Sequence, residues 1–255
     1  MKLKPGQIIV GGNLLLLLVL EAQVFWPQFF YGLIVVANLL LLALVYLLLR
    51  QPGKPRWPLW LLPFLVFNSI NAYVLLIPQE VWLNKFFIQA LFILFLGFNF
   101  SYCKQAYDFV FHPEQENNLP NLAANFSFLS WFFALSAVYG LQLFLDLSYW
   151  VLLLVLIILA ILSTYLNLWV NRLFSKKQAI FMFLAAFIVA QLAWAVYFLP
   201  FDYNSLGLII ALAYYVIWNL IRFYLSHNWN KKNLRSLLVF AGLIMLLVLL
   251  TVKWR

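Results

Sequence analysis

Hydrophobic positions along this chain come in long unbroken runs, and polar residues gather in the short gaps between them. The runs lie near Ile8 to Trp26, Gln28 to Leu49, Trp57 to Ile77, Val81 to Tyr102, Leu122 to Leu145, Tyr149 to Val170, Ala179 to Leu199, Leu206 to Leu225 and Leu237 to Val252. A helix of about 20 residues rises roughly 30 Å, the thickness of a bilayer's hydrocarbon core. The runs are continuous rather than alternating and far longer than a barrel strand, so the pattern predicts helices over strands. The expected fold class is all-α, a polytopic transmembrane helical bundle of about nine spans. The first run is its weakest member. Gly11, Gly12 and Asn13 interrupt its start and Glu21 lies near its end, so a tilted, short or re-entrant segment is the alternative to a full span.

One gap is long. Lys104 to Asn121 contains Asp108, His112, Pro113, Glu114, Glu116, Asn117, Asn118 and Pro120. Its first residues are expected to continue the fourth helix to His112, ahead of a proline-bounded cytoplasmic linker over 113–121. The chain then reads as one membrane domain with four spans in 1–112 and five in 122–255.

Composition agrees with the pattern: 67% of the 255 residues are hydrophobic and 9% charged, with a mean hydropathy of +0.98, outside the range of a soluble domain. A net charge of +9 would suggest nucleic acid in a soluble protein, but these cations sit in loops between apolar runs, as the positive-inside rule produces. No nucleic-acid partner is expected. With the N-terminus cytoplasmic, all of the 16 Lys and Arg except Lys85, Lys253 and Arg255 fall inside, which places the C-terminus outside. The expected partners are the lipid bilayer and anionic phospholipids, with a protein partner in the membrane as a further option. Short loops and the absence of soluble domains point to a plasma membrane of prokaryotic type. Met1-Lys2-Leu3-Lys4 followed by Leu14 to Leu20 resembles a signal-peptide start, but Glu21-Ala22-Gln23 is a poor cleavage site and another span follows. An uncleaved first helix is expected. The lone Cys103 excludes an internal disulfide and any multi-cysteine metal site.

The most chemically marked stretch is the hairpin from Gln191 to Gly207, where two apolar runs meet across Pro200-Phe201-Asp202. Gln191, Trp194, Ala195 and Phe198 fall on one helix face at i, i+3, i+4 and i+7. An amide in hydrocarbon needs a partner, so that face is expected to point into protein. Asn68, Asn71, Ala72 and Leu75 repeat the spacing in span three. The resemblance extends further, from Phe64 through Tyr73 and Pro78 to Glu80 against Phe187 through Tyr197 and Pro200 to Asp202, with one slip. A parallel repeat of spans three and four in spans seven and eight would put the two amides at related depths on a shared interface. Gln191, Trp194, Phe198, Asn68, Asn71 and Tyr73 are the candidate ligand-binding residues, and helix-to-helix hydrogen bonding is the competing reading of the amides.

Each outer turn carries one acid: Glu21, Glu80, Asp146 and Asp202. These are topological markers or an outward ring that attracts a cation. Near the cytoplasmic side, Ser163, Asn167 and Asn171 form one stripe and Tyr215, Asn219 and Arg222 another. They fit an inner polar mouth or interfacial anchoring, and Arg172, Lys176, Lys177, Arg222, Lys231, Lys232 and Arg235 are expected contacts for anionic headgroups. Small residues four apart, at Ala186 and Ala190, Gly207 and Ala211, and Ser136 and Gly140, let helix backbones approach.

No Asp, Glu, His, Lys or Arg sits near the middle of any run, where pumps and intramembrane hydrolases place theirs. There is no phosphate-cradling loop and no hydrolase motif, and the scattered His112 and neighbouring carboxylates make a weak metal site at best. No cofactor or metal is expected. Aromatics make up 20% of the chain, more than two interface belts require, and either fill the bundle or line a groove for a lipid-like molecule. The expected function is non-catalytic binding or transport of a lipid-like or small neutral molecule. The alternatives are a scaffold or accessory subunit of a membrane complex and, third, an enzyme acting on a lipid headgroup. Single cysteines introduced at Asp146 and Lys176 should label from opposite faces of the membrane; labelling of both from the same side would overturn the nine-span topology.

Overall fold

The computed structural model describes residues 4–50, 57–78, 81–112, 114, 117–175, 178–227 and 229–251, and among them every regular element is helical. The chain divides into two compact units, Met1–Leu122 and Ala123–Arg255. Of the residues singled out in the sequence, Glu80, Lys176 and Lys177, together with Lys2, Lys54, Arg56, Lys253, Arg255, Pro113 and Glu116, lie outside the described residues.

The first unit holds α1 (Pro5–Phe25), a short 3-10 turn, α2 (Phe30–Leu49), α3 (Pro58–Val74) and α4 (Trp82–Phe111). The second holds nearly all of α5 (Leu119–Leu145), then α6 (Tyr149–Val170), α7 (Ile180–Tyr197), α8 (Tyr203–Leu225) and α9 (Lys231–Thr251). Seven of these, all but α3 and α9, are long and apolar enough to cross a membrane. At 17 residues, α3 rises only about 26 Å. It stops at Val74 instead of reaching Ile77 because Leu76 and Ile77 turn back onto the carbonyls of Tyr73 and Val74 ahead of Pro78, which has no N–H to continue the ladder.

The distribution of residues identifies the solvent. Large apolar side chains such as Leu18, Leu39, Trp150, Phe187 and Leu250 are exposed, whereas Gln23, Asn71, Asn99, Ser130, Thr164 and Asn167 are buried. Water selects the reverse arrangement. Hydrocarbon solvates Leu as well as protein does, and leaves amides and hydroxyls to find partners between helices. This pattern and the seven long apolar helices support a multi-pass membrane protein.

In the first unit α1 lies against both α2 and α4. It is a continuous helix through Gly11, Gly12 and Asn13, so the interruption expected there is absent. Gly12 lets the Leu44 side chain of α2 lie against the α1 backbone, a Cβ there standing 3.1 Å from Leu44 Cγ. Asn13 donates to its own helix at Ile9 O (2.8 Å) and accepts from Asn99 Nδ2 of α4 (3.1 Å). One turn beyond Asn99, Cys103 is buried with its thiol 3.8 Å from Asn99 Oδ1.

The second unit is knotted around a buried polar cluster. Trp131 of α5 stacks on Tyr214 of α8 with ring centroids 4.3 Å apart and donates to Ser163 Oγ of α6 (3.2 Å). Asn167 donates to Ser127 Oγ (2.9 Å) and to Ser163 O (2.9 Å). Thr164 and Tyr214 pair through their hydroxyls at 3.4 Å. Further along, α5 and α8 meet at Ser136 and Gly207, where a Cβ on the glycine would lie 2.7 Å from the Ser136 backbone nitrogen.

The helix order of the two units runs in step: starts at Phe30, Pro58 and Trp82 correspond to starts at Tyr149, Ile180 and Tyr203. Leu62, Val66 and Ile70 on α3 and Ala185, Val189 and Ala193 on α7 are buried at matching places in the aligned segments.

Pro63 inside α3 leaves the Leu59 carbonyl without its helical donor. The hydroxyl of Tyr102 on α4 supplies the missing bond at 2.8 Å, with both residues buried. Tyr102→Phe should therefore destabilise the first unit by about 1–3 kcal/mol, seen as a lower melting temperature in mild detergent. In a Pro63→Ala background, which restores the N–H, the same change should cost much less; equal losses in both backgrounds would refute the compensation.

Candidate functional site

A concavity of mixed chemistry lies at one end of the second unit, beneath the α7–α8 turn. It is an open cup of about 330 Å³, lined by the end of α5 (Tyr139, Gln142, Leu143, Asp146), the end of α7 (Tyr197, Leu199) and the turn into α8 (Pro200, Phe201, Tyr203, Leu206). That volume is at the small end of pockets for organic ligands, roughly 300–1,000 Å³.

Local sequence builds each wall. Tyr139 and Gln142, at i and i+3, share one face of α5, and Asp146 stands just past its last residue. Asp146 follows the last helical residue with φ of 49°, a left-handed conformation that Asp and Asn tolerate better than other non-glycine residues. On the other side, α7 ends at Tyr197, and Pro200 lacks the N–H to extend it. α8 begins three residues earlier than its apolar run, because Asp202 caps it. The Asp202 carboxylate accepts from the backbone N–H of Asn204 (3.1 Å) and Ser205 (3.3 Å) and from Ser205 Oγ (2.6 Å).

Polar atoms in and beside the cup are incompletely paired. Gln142 Oε1 and the Tyr149 hydroxyl are buried and take no hydrogen bond. Tyr139 donates a long bond to Ala193 O at 3.4 Å. The Tyr149 and Tyr197 rings lie 5.2 Å apart. Outward from the cup, Tyr197 touches Phe198 (5.5 Å) and Phe198 touches Trp194 (5.6 Å), forming an exposed aromatic strip along α7.

Gln191, Trp194 and Phe198 thus face away from the rest of the second unit, Trp194 being 59% and Phe198 67% exposed, opposite to the inward orientation expected for that face. The reason is packing: α7 meets α6 and α8 through Ala185, Ala186, Val189, Ala193 and Val196, whose small side chains let backbones approach, and this turns the amide face outward. Asn68 behaves differently. It forms a reciprocal amide pair with Asn38 of α2, at 2.9 and 3.1 Å, so here the helix-to-helix reading of the amide holds. Asn71 is buried, donates to Phe67 O (2.9 Å) and leaves its Oδ1 unpartnered. Tyr73 is half-buried. These three belong to the first unit and Gln191, Trp194 and Phe198 to the second.

The described acids expected at outer turns differ in role: Glu21 accepts from Gln89 Nε2 at 2.8 Å, Asp202 caps α8, and Asp146 stands at the cup with no hydrogen-bond donor among the described residues. Among the described residues no three His, Cys, Asp or Glu come together in a metal-holding group. At the opposite end of the second unit, Arg172 follows α6 with φ of 58° and Arg222 is in the last turn of α8. Lys231 and Arg235 line a shallow groove of about 370 Å³ with Leu234, Leu238 and Val239, and Lys232 is exposed beside them. The stripe of Ser163 and Asn167 is core rather than mouth, and Asn171 donates to Asn167 O.

Sequence reasoning missed Tyr139, Gln142 and Tyr203; the i, i+3, i+7 spacing ending in Asp146 was the available signal. No family model, curated protein or solved structure matches this chain.

The two acids of this end should respond differently to substitution. Asp202→Ala removes a cap and should cost about 0.5–2 kcal/mol, read as a fall in melting temperature. Asp146→Asn keeps a residue suited to the left-handed backbone and should melt like the parent; a comparable fall in both would contradict these assignments.

Proposed function

We propose that the protein is a non-catalytic membrane component that binds or moves a lipid-like or small neutral molecule, with the cup beneath the α7–α8 turn as its site. The carrying observation is the continuity between the cup and the exposed strip of Tyr197, Phe198 and Trp194. A headgroup fits the partly polar cup while its chains lie along a surface that hydrocarbon already wets. The lining includes one carboxylate and no Lys or Arg, which supports binding over headgroup chemistry, since acid–base work on a headgroup calls for converging titratable groups.

In this reading all nine helices cross a prokaryotic plasma membrane, with the N-terminus cytoplasmic, the C-terminus outside and the cup open to the outer face. The basic end then meets anionic phospholipids, with Lys231 and Arg235 of the α9 groove as the first contacts. Leu143, a half-exposed residue of the cup, offers a test. Leu143→Trp should fill the cup and remove lipid that otherwise co-purifies in mild detergent, as counted by native mass spectrometry. Unchanged lipid would overturn the site, and a stoichiometric protein partner in place of lipid would favour the scaffold reading.

A further inference from the structure

We infer that the cup selects a cationic headgroup of the ammonium type; this rests on the cup being a lipid site. Tyr139, Tyr197, Phe201 and Tyr203 contribute aromatic rings, Asp146 a carboxylate, and Gln142 a buried amide oxygen that accepts no hydrogen bond. The one charged group in the lining is the Asp146 carboxylate, Gln142 adds an unpaired acceptor oxygen beside its own NH2, and no Lys or Arg lines the space to neutralise the charge. Aromatic rings attract cations through their quadrupole, most strongly where water is displaced, and quaternary ammonium groups are bound in this way by aromatic cages.

The other two described acids at helix turns contrast with Asp146. Glu21 is hydrogen-bonded by Gln89 and Asp202 by two backbone N–H groups and a serine hydroxyl. Asp146 takes no hydrogen bond from a described residue, and it is held at the cup by a backbone conformation that Asp adopts readily. A headgroup whose phosphate is not offset by an ammonium would meet that charge unfavourably, so the same arrangement disfavours net-anionic lipid and leaves it to the basic end.

The test uses the full-length protein in nanodiscs containing equal amounts of phosphatidylcholine and phosphatidylglycerol with identical acyl chains. Both lipids carry the phosphate and only phosphatidylcholine carries the ammonium. The cup-bound lipid is the fraction that Leu143→Trp abolishes. In the parent this fraction should favour phosphatidylcholine by about tenfold. Asp146→Asn and Tyr197→Leu should each bring the ratio towards one, whereas Tyr197→Phe, which keeps the ring, should preserve it. Choline chloride separates the two sources of an ammonium group: displacement identifies the free cation as a ligand, and persistence assigns the lipid-held one. Equal occupancy by the two lipids, or a preference unmoved by Asp146→Asn, would overturn the cation inference while leaving the lipid site standing. A parent that holds no lipid sensitive to Leu143→Trp would remove both.

Discussion

Inside hydrocarbon a polar side chain has no water to fall back on, and the helix contacts of this protein follow from that constraint. Asn38 and Asn68 satisfy each other across α2 and α3. Asn13 and Asn99 join α1 to α4, with Glu21 and Gln89 doing the same elsewhere along the pair. In the second unit the constraint gathers Ser127, Trp131, Ser163, Thr164, Asn167 and Tyr214 into one cluster that ties α5, α6 and α8. Each bond is modest, averaging about 0.6 kcal/mol in such settings. Their value is directional: they fix rotation and depth where apolar contact with lipid and with protein is nearly equivalent.

The same constraint explains two features that look like defects. Pro63 breaks a helical ladder, and the neighbouring helix repairs it through Tyr102. Gly207 removes a side chain, and this allows α5 and α8 to approach at Ser136. In both cases a local loss is compensated by a tertiary contact, so neither residue is interpretable from its own helix alone.

The cup stands apart because its polar groups are not fully absorbed into helix packing. Gln142 Oε1 takes no hydrogen bond and the Asp146 carboxylate stands at the rim of the same concavity. Its walls come from segment ends, where α5, α7 and α8 begin or stop. Segment ends can present irregular backbone and left-handed residues without disturbing the helices, and the cup forms at such ends.

The sequence by itself determined where the helices lie. Nine runs became nine helices among the described residues, with ends shifted where capping and proline act: Asp202 starts α8 early, and the turn before Pro78 ends α3. It also marked the Gln191 to Gly207 hairpin, which supplies half of the cup, and the small residues that bring helices together. Tertiary structure decided which side of each helix faces inward. Asn68 turned to Asn38 while Gln191, at the matching place on α7, turned outward, and Tyr139 and Gln142 joined Asp146 in a site that no single segment shows. The physical reason is that lipid and protein interior are both apolar. Hydrophobic periodicity, which orients a helix in a water-soluble protein, is therefore nearly silent here, and the rotation is left to small residues and to hydrogen bonds whose partners lie far away in the chain.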